Sequence, residues 1–220
     1  MKANTKQHTV YKTGTGERLP GVTTVINELG WNKNMLVAWA RREALAGNDP
    51  NKIKDEAAKP GTLTHSFIEG HIKKQKVSTA DFTQNQIELA KTAFVAFLDW
   101  EKAMTPEYLD IEVKVVSEKY RFGGTADMVG RIGGKLVLCD WKTSKGVYPE
   151  MTIQIAAYKI AYEEMGLSTK VGGTIDSGGI LRLDRETGAY DYHDISLKKM
   201  EWGWDVFQHC LALYALKKKK

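Results

Sequence analysis

Two aspartates and a lysine, Asp127, Asp140 and Lys142, are spaced in a way that suits metal-assisted hydrolysis. Gly133-Gly134 reads as a two-residue hairpin turn between stretches at 122–132 and 135–142. Such a turn pairs Ile132 with Lys135, and counting outward in that register sets Asp127 opposite Asp140. Facing carboxylates on neighbouring strands repel each other. A divalent cation between them removes the repulsion, and magnesium takes one or two carboxylates while leaving positions for water and phosphate oxygens. Asp140 and Lys142 are two residues apart, so both leave the strand on one face, the face of Leu136 and Leu138. An apolar strand ending in Asp-x-Lys is unusual as pure scaffolding. Carboxylates that hold a cation position a water and polarise a phosphate, and Lys142 orients that water or stabilises charge on the pentacovalent transition state.

The elements that must position these residues follow from hydrophobic period. Residues 1–20 are polar and extended, ending at Pro20-Gly21. Thr23 or Thr24 caps a short helix through Leu29, which Gly30 stops. Helical spacing continues over Asn34–Ala46, Thr62–Lys74 and Thr83–Lys102, and the polar stretch Gly47–Pro60 reads as a mobile connection able to act as a lid. At Ile111, Val113 and Val115 the period becomes two. Strands at 122–132 and 135–142, a helix over 149–165, a hairpin from 178–184 to 189–195 turning at Glu186-Thr187-Gly188, and a helix over 196–216 complete the chain. Helices, three strands, a helix, two strands and a helix make an α/β sandwich around a mixed sheet.

The motifs resemble those of the PD-(D/E)XK nuclease superfamily, and within it the RecB-type exonuclease branch. The resemblance rests on Gly61-Thr62-Leu63-Thr64-His65, Gly123-Gly124-Thr125-Ala126-Asp127, Leu138-Cys139-Asp140-Trp141-Lys142-Thr143-Ser144, and Gln154 with Tyr158. Val22-Thr23-Thr24-Val25 is similar to the opening of phage members. The elements stand in order over 61–158, although Asp-x-Lys alone would be a weak signal. The resemblance implies a restriction-endonuclease-like α/β fold, a central mixed sheet flanked by helices with an N-terminal helical elaboration. It implies a single nuclease domain over 1–220, in which 1–104 form a helical wall of a DNA channel, 105–216 carry the catalytic sheet and helices, and 217–220 form a basic tail. It makes Asp127 and Asp140 metal ligands, with the Trp141 carbonyl and His65 as further ligands, and Lys142 the catalytic lysine supported by Gln154 and Tyr158.

The resemblance further implies Mg2+, with Mn2+ able to substitute, and DNA as substrate, as single strands or duplex ends. An exonuclease in phage or bacterial recombination or repair, beside a single-strand annealing or binding protein, is the favoured expectation. A structure-specific endonuclease with the same site, an inactive nuclease-fold DNA-binding protein, and an RNA substrate are the alternatives. Some relatives carry a four-cysteine iron–sulfur cluster; Cys139 and Cys210 are too few for one.

Each candidate has a plainer reading. Asp127, Asp140 and Lys142 would otherwise form a buried ion-pair network. His65 shares a helical stripe with Ile68 and Ile72, where a histidine is usually packed core, and Glu69 stands one turn on as a support for it. Glu112 lies on the strand face opposite Ile111, Val113 and Val115 and is read equally as a metal ligand or a surface acid. Tyr158 is ordinary helix packing on the plain reading, Gln154 less so. Thr62, Thr143, Ser144 and Lys145 are candidate DNA contacts near the catalytic strand. Trp31, Lys33, Trp39, Arg41 and Arg42 are candidates for stacking and phosphate pairing with single-stranded DNA.

Composition narrows the class without choosing it. The net charge of +5 comes from 32 basic and 27 acidic residues, and four of those charges are the terminal Lys217–Lys220. The rest of the chain is near neutral, so charge alone does not argue for nucleic acid. The polar start Met1-Lys2-Ala3-Asn4-Thr5-Lys6 does not read as a secretory leader, and no apolar run approaches a membrane span. Two cysteines suit buried thiols in a reducing cytoplasm, and the resemblance implies that of a bacterial or phage-infected cell.

Overall fold

The computed structural model describes residues 9–31 and 33–219. The polar start Met1–Lys6, which does not read as a secretory leader, and Lys220, the end of the expected basic tail, lie outside the described residues.

The two hairpin periods place five strands side by side. They are β3 (Glu107–Ser117), β4 (Phe122–Ile132), β5 (Lys135–Lys142), β6 (Ser177–Leu183) and β7 (Tyr190–Ile195), in that spatial order. All neighbours are antiparallel except β5 and β6, which are parallel. A parallel pair needs a crossover, and the helix α5 (Pro149–Glu164) supplies it. Preceding these are β1 (Tyr11–Lys12), β2 (Arg18–Leu19), α1 (Val22–Ile26), α2 (Lys33–Leu45), α3 (Pro50–Ile72) and α4 (Gln84–Met104), and α6 (Leu167–Lys170) and α7 (Leu197–Lys218) complete the set.

Alternation along β5 builds two cores. Leu136 and Leu138 pack with Ile153 and Ala157 of α5 and Phe207 of α7. Val137, Cys139 and Trp141 pack against Ile68 of α3 and Phe97 and Trp100 of α4. The sheet is therefore covered on both faces, which accounts for the continuous burial of β5 from Leu136 to Trp141. Cys139 and Cys210 are both buried free thiols. Burial, with the charges of Asp140 and Asp127 adding to it, pushes the Cys139 thiol well above its ordinary value, so it is packing material and not a nucleophile.

Four local readings change. The stretch 47–60 is not a lid connection: Asp49 caps Pro50, and α3 runs unbroken from Pro50 through Pro60 to Ile72. The polar residues there are polar because that part of the helix is solvent-exposed, and Pro at N1 is favourable because its missing N–H was unpaired anyway. The first helix begins at Val22 and ends at Ile26, capped by Gly21 without a side-chain bond. The N-terminal region contains the small β1–β2 hairpin, pairing Tyr11 with Leu19 and Lys12 with Arg18. At the other end, Lys217 and Lys218 belong to the last turn of α7, and Lys217 Nζ donates to Glu28 Oε1 at 2.9 Å.

Candidate functional site

The register predicted from the glycine turn is present. Ile132 pairs with Lys135, and the ladder runs outward to Met128 and Cys139, one step short of Asp127 and Asp140. Past that step Trp141 gives its backbone N–H to Asp127 Oδ2 at 2.7 Å. The carboxylate is thus anchored by the strand next to it. Asp127 and Asp140 are 1% and 3% exposed. Two acids this deep demand compensating charge, since an isolated buried carboxylate is strongly disfavoured.

On the other side of β4, Ile111 pairs with Met128 and Val113 with Ala126, which brackets Asp127 with Glu112. Glu112 has a left-handed backbone, φ 54°, inside an otherwise extended strand. Such a conformation costs a non-glycine residue about 1–3 kcal/mol and re-aims its side chain. From α3, His65 brings Nδ1 to 3.5 Å from Asp127 Oδ1. Ligand atoms of His65, Glu112 and Asp127 all lie within 4.8 Å of one another. Sequence alternation left Glu112 undecided; the backbone turn brings it in.

Asp140 makes a different contact, an ion pair with Lys142 Nζ. Lys142 also donates to Gln154 Oε1 at 2.8 Å, and Gln154 Nε2 donates to the Tyr158 hydroxyl at 2.6 Å. One turn of α5 separates Gln154 from Tyr158, so the helix holds the lysine amine through a relay. Burial above all, and next the charge of Asp140, push the Tyr158 phenol well above its ordinary value, which keeps it neutral.

Glycines allow these approaches. A Cβ on Gly61 would lie 2.7 Å from Thr143 Oγ1, so Gly61 lets α3 touch the end of β5 and sets His65 one turn further along. A Cβ on Gly123 would lie 2.5 Å from Tyr11 Cγ, and one on Gly124 would overlap Tyr158 Cε1. Gly124→Ala is therefore expected to displace a rigid ring, lowering stability by about 1–3 kcal/mol and disturbing the relay to Lys142. Thermal unfolding checks the first effect and phosphodiester turnover the second.

The remaining candidates divide. Thr143 and Ser144 line the same cavity of about 500 Å³ as His65, Asp127, Asp140 and Lys142. Ser144 Oγ donates to the Gly146 carbonyl at 2.8 Å, fixing the turn after β5. Thr62 is on α3 outside that cavity, its hydroxyl 3.4 Å from the Ala58 carbonyl. Lys145 lines a neighbouring hollow of about 250 Å³ with Asp184, Arg185 and Glu186. Arg41 and Arg42 lie on the exposed α2, away from the cavity lining, and Arg42 pairs with Glu43 at 3.8 Å. Nothing in the geometry brings those two arginines to the acids. Glu69 accepts from Lys73 Nζ at 2.8 Å.

Among the cavity-wall residues that the sequence reading did not assign to the site are Tyr11, Arg185 and Thr125. Tyr11 reaches it from β1, its hydroxyl 3.1 Å from Thr125 Oγ1. Arg185 reaches it from the β6–β7 turn, donating to the Ala57 carbonyl at 2.7 Å. Neither Tyr11 nor Arg185 has a local pattern that would signal this role. Thr125 sits inside the Gly123–Asp127 motif and was legible only as spacing.

Comparison with known proteins decides the class. A profile of the PD-(D/E)XK nuclease superfamily matches residues 37–199, most of the chain. The chain belongs to the PD-(D/E)XK nuclease superfamily. Its five-stranded mixed sheet flanked by helices is the restriction-endonuclease-like arrangement of that superfamily. Membership supports an enzyme acting on nucleic acid, in a superfamily whose nucleases use divalent metals. The crystal structure of SSO0001 aligns at 16% identity with a TM-score of 0.35, covering 77% of this chain and 68% of that one. No match is found among curated proteins. Among the described residues no helix is long and apolar enough to cross a membrane.

The donor set suits a divalent cation. One imidazole and two carboxylates converge beside a further buried acid, and a cation would supply the charge compensation they need.

Proposed function

We propose that this PD-(D/E)XK nuclease is a Mg2+- or Mn2+-dependent exodeoxyribonuclease of the RecB type. The observation that carries the reading is the meeting of His65, Glu112 and Asp127, within 4.8 Å, with the Lys142–Gln154–Tyr158 relay at the end of one strand pair. Asp127, Glu112, His65 and Asp140 would hold the cation, with the Trp141 carbonyl as a further ligand. When bound, the ion supplies a polarised phosphate oxygen and a water of lowered pKa. The imidazole suits Mn2+ at least as well as Mg2+.

The residues of the chain do the rest. Lys142, held by Gln154 and Asp140, donates hydrogen bonds where negative charge builds on the phosphate. Tyr158 keeps Gln154 in place. Thr143 and Ser144 offer hydroxyls to the strand entering the cavity, and Thr62, Lys145 and the helices before residue 105 form its outer walls. A role in bacterial or phage recombination or repair, in the cytoplasm and beside a single-strand annealing or binding protein, follows the RecB-type resemblance alone.

The test is degradation of end-labelled linear DNA and of a closed circle, with Mg2+, with Mn2+ and with chelator. Metal-dependent loss of the linear substrate with the circle intact is the expected result. Cutting of the circle would make the protein an endonuclease, and no cutting of either would overturn the catalytic reading.

A further inference from the structure

A second depression adjoins the cavity and shares Thr23, Lys142 and Gln154 with it. Its volume is about 580 Å³, a size that accommodates a small-molecule-sized group. One wall is the segment from the end of α1 to the first turn of α2, with Trp31 and Leu36. The other is the start of α5, with Tyr148 and Met151. Trp31 is 50% exposed, Leu36 54% and Tyr148 41%. Large apolar side chains left open together beside a polar catalytic site mark a binding surface.

We propose that this groove is a stacking subsite for one unpaired base of single-stranded DNA, next to the phosphate held at Lys142. The inference rests on the nuclease reading and names the substrate form the site takes. Three observations support this occupant over an apolar peptide. The groove runs into the cavity through Lys142 and Gln154, so a strand whose phosphate lies at Lys142 must pass a neighbouring nucleotide along it. Its two most polarizable surfaces are an indole and a phenol, flat faces on which any base stacks without sequence readout. Lys33 and Lys142 line it against the single acid Glu150, the charge sense a backbone phosphate requires. A base inside a duplex is covered on both faces by its neighbours and cannot stack on Trp31. The groove therefore demands a single strand or a frayed end.

The experiment compares wild type with Trp31→Ala, Trp31→Phe and Tyr148→Ala in Mn2+. Three probes are used: oligo(dT), the same oligomer with abasic positions, and the base-free diester bis(p-nitrophenyl) phosphate. Expected is a KM for oligo(dT) raised about tenfold to a hundredfold in the alanine variants, the range for losing one aromatic stacking partner. Trp31→Phe should restore most of it. The abasic oligomer should weaken wild type but not Trp31→Ala, and kcat for the small diester should stay the same throughout, stacking of its nitrophenyl rings bearing on KM alone. An unchanged KM for oligo(dT) in both alanine variants, with wild type active, overturns the subsite and leaves the nuclease reading standing. So does a change of oligomeric state in Trp31→Ala without a change of KM, which would make the groove a contact between copies. A wild type that cleaves neither the oligomer nor the diester removes both.

Discussion

Lys142→Ala should lower turnover by about a hundredfold to a thousandfold. That is the loss expected when one donor to developing charge is removed from a preorganised site, about 2.7–4 kcal/mol of barrier. The geometry makes the effect specific to the amine. Lys142 Nζ is aimed by Gln154 Oε1 at 2.8 Å and by Asp140, and Gln154 is itself tied to Tyr158. An arginine in its place would carry the charge but could not occupy the same point between these partners. Removing the amine also leaves Asp140, 3% exposed, without its lysine partner. The metal-free variant should therefore unfold earlier, by about 1–3 kcal/mol, and Mn2+ should return part of that. Labelled-DNA degradation and thermal unfolding, each with metal and with chelator, separate the two effects. Turnover equal to wild type would remove Lys142 from the chemistry.

Asp127→Asn should abolish cleavage, by a factor of at least about a thousand, while leaving the metal-free protein as stable as wild type or more so. An asparagine oxygen can still accept the Trp141 N–H that Asp127 Oδ2 now accepts at 2.7 Å. What disappears is the negative charge set against Glu112 in the same cluster. In wild type, a cation at a hundred times its dissociation constant adds about 2.7 kcal/mol, or roughly 5–10 °C in Tm for a chain of this size. The variant should show little of that rise. An undiminished metal-induced shift in Asp127→Asn would place the cation elsewhere and dissolve the proposed centre. Activity and stability pointing in opposite directions would be the sign of a site whose charges are kept for function.

Much of the site was legible because two of its ingredients are local. A two-residue glycine turn fixes a register, and strand period fixes a face, so the pairing of Ile132 with Lys135 and the shared face of Asp140 and Lys142 could be read from spacing. The i, i+4 spacing of Gln154 and Tyr158 predicted that they meet, and they do. Elements with a long clean period, such as α4 and α5, were placed within a few residues. Polar sequence was the misleading signal. It made 47–60 look like a connection, although helices exposed on most of their surface are polar too, and Pro60 marked no break.

What the residues by themselves determined is the chemical core: the order of the longer helices and of the five sheet strands, and two acids and a lysine at the end of an apolar hairpin. The resemblance offered His65 and Glu112 as candidates; tertiary structure decided that they meet Asp127 and which further groups join them. His65 comes from another helix, Tyr11 from the first hairpin and Arg185 from a distant turn. Glu112 enters through a left-handed backbone that no strand pattern foretells. The physical reason is range. Turn geometry and side-chain period act over a few residues, whereas the approach of α3 to β5 depends on packing between segments about 80 residues apart. That approach is permitted by the missing side chain of Gly61 and filled by Thr143.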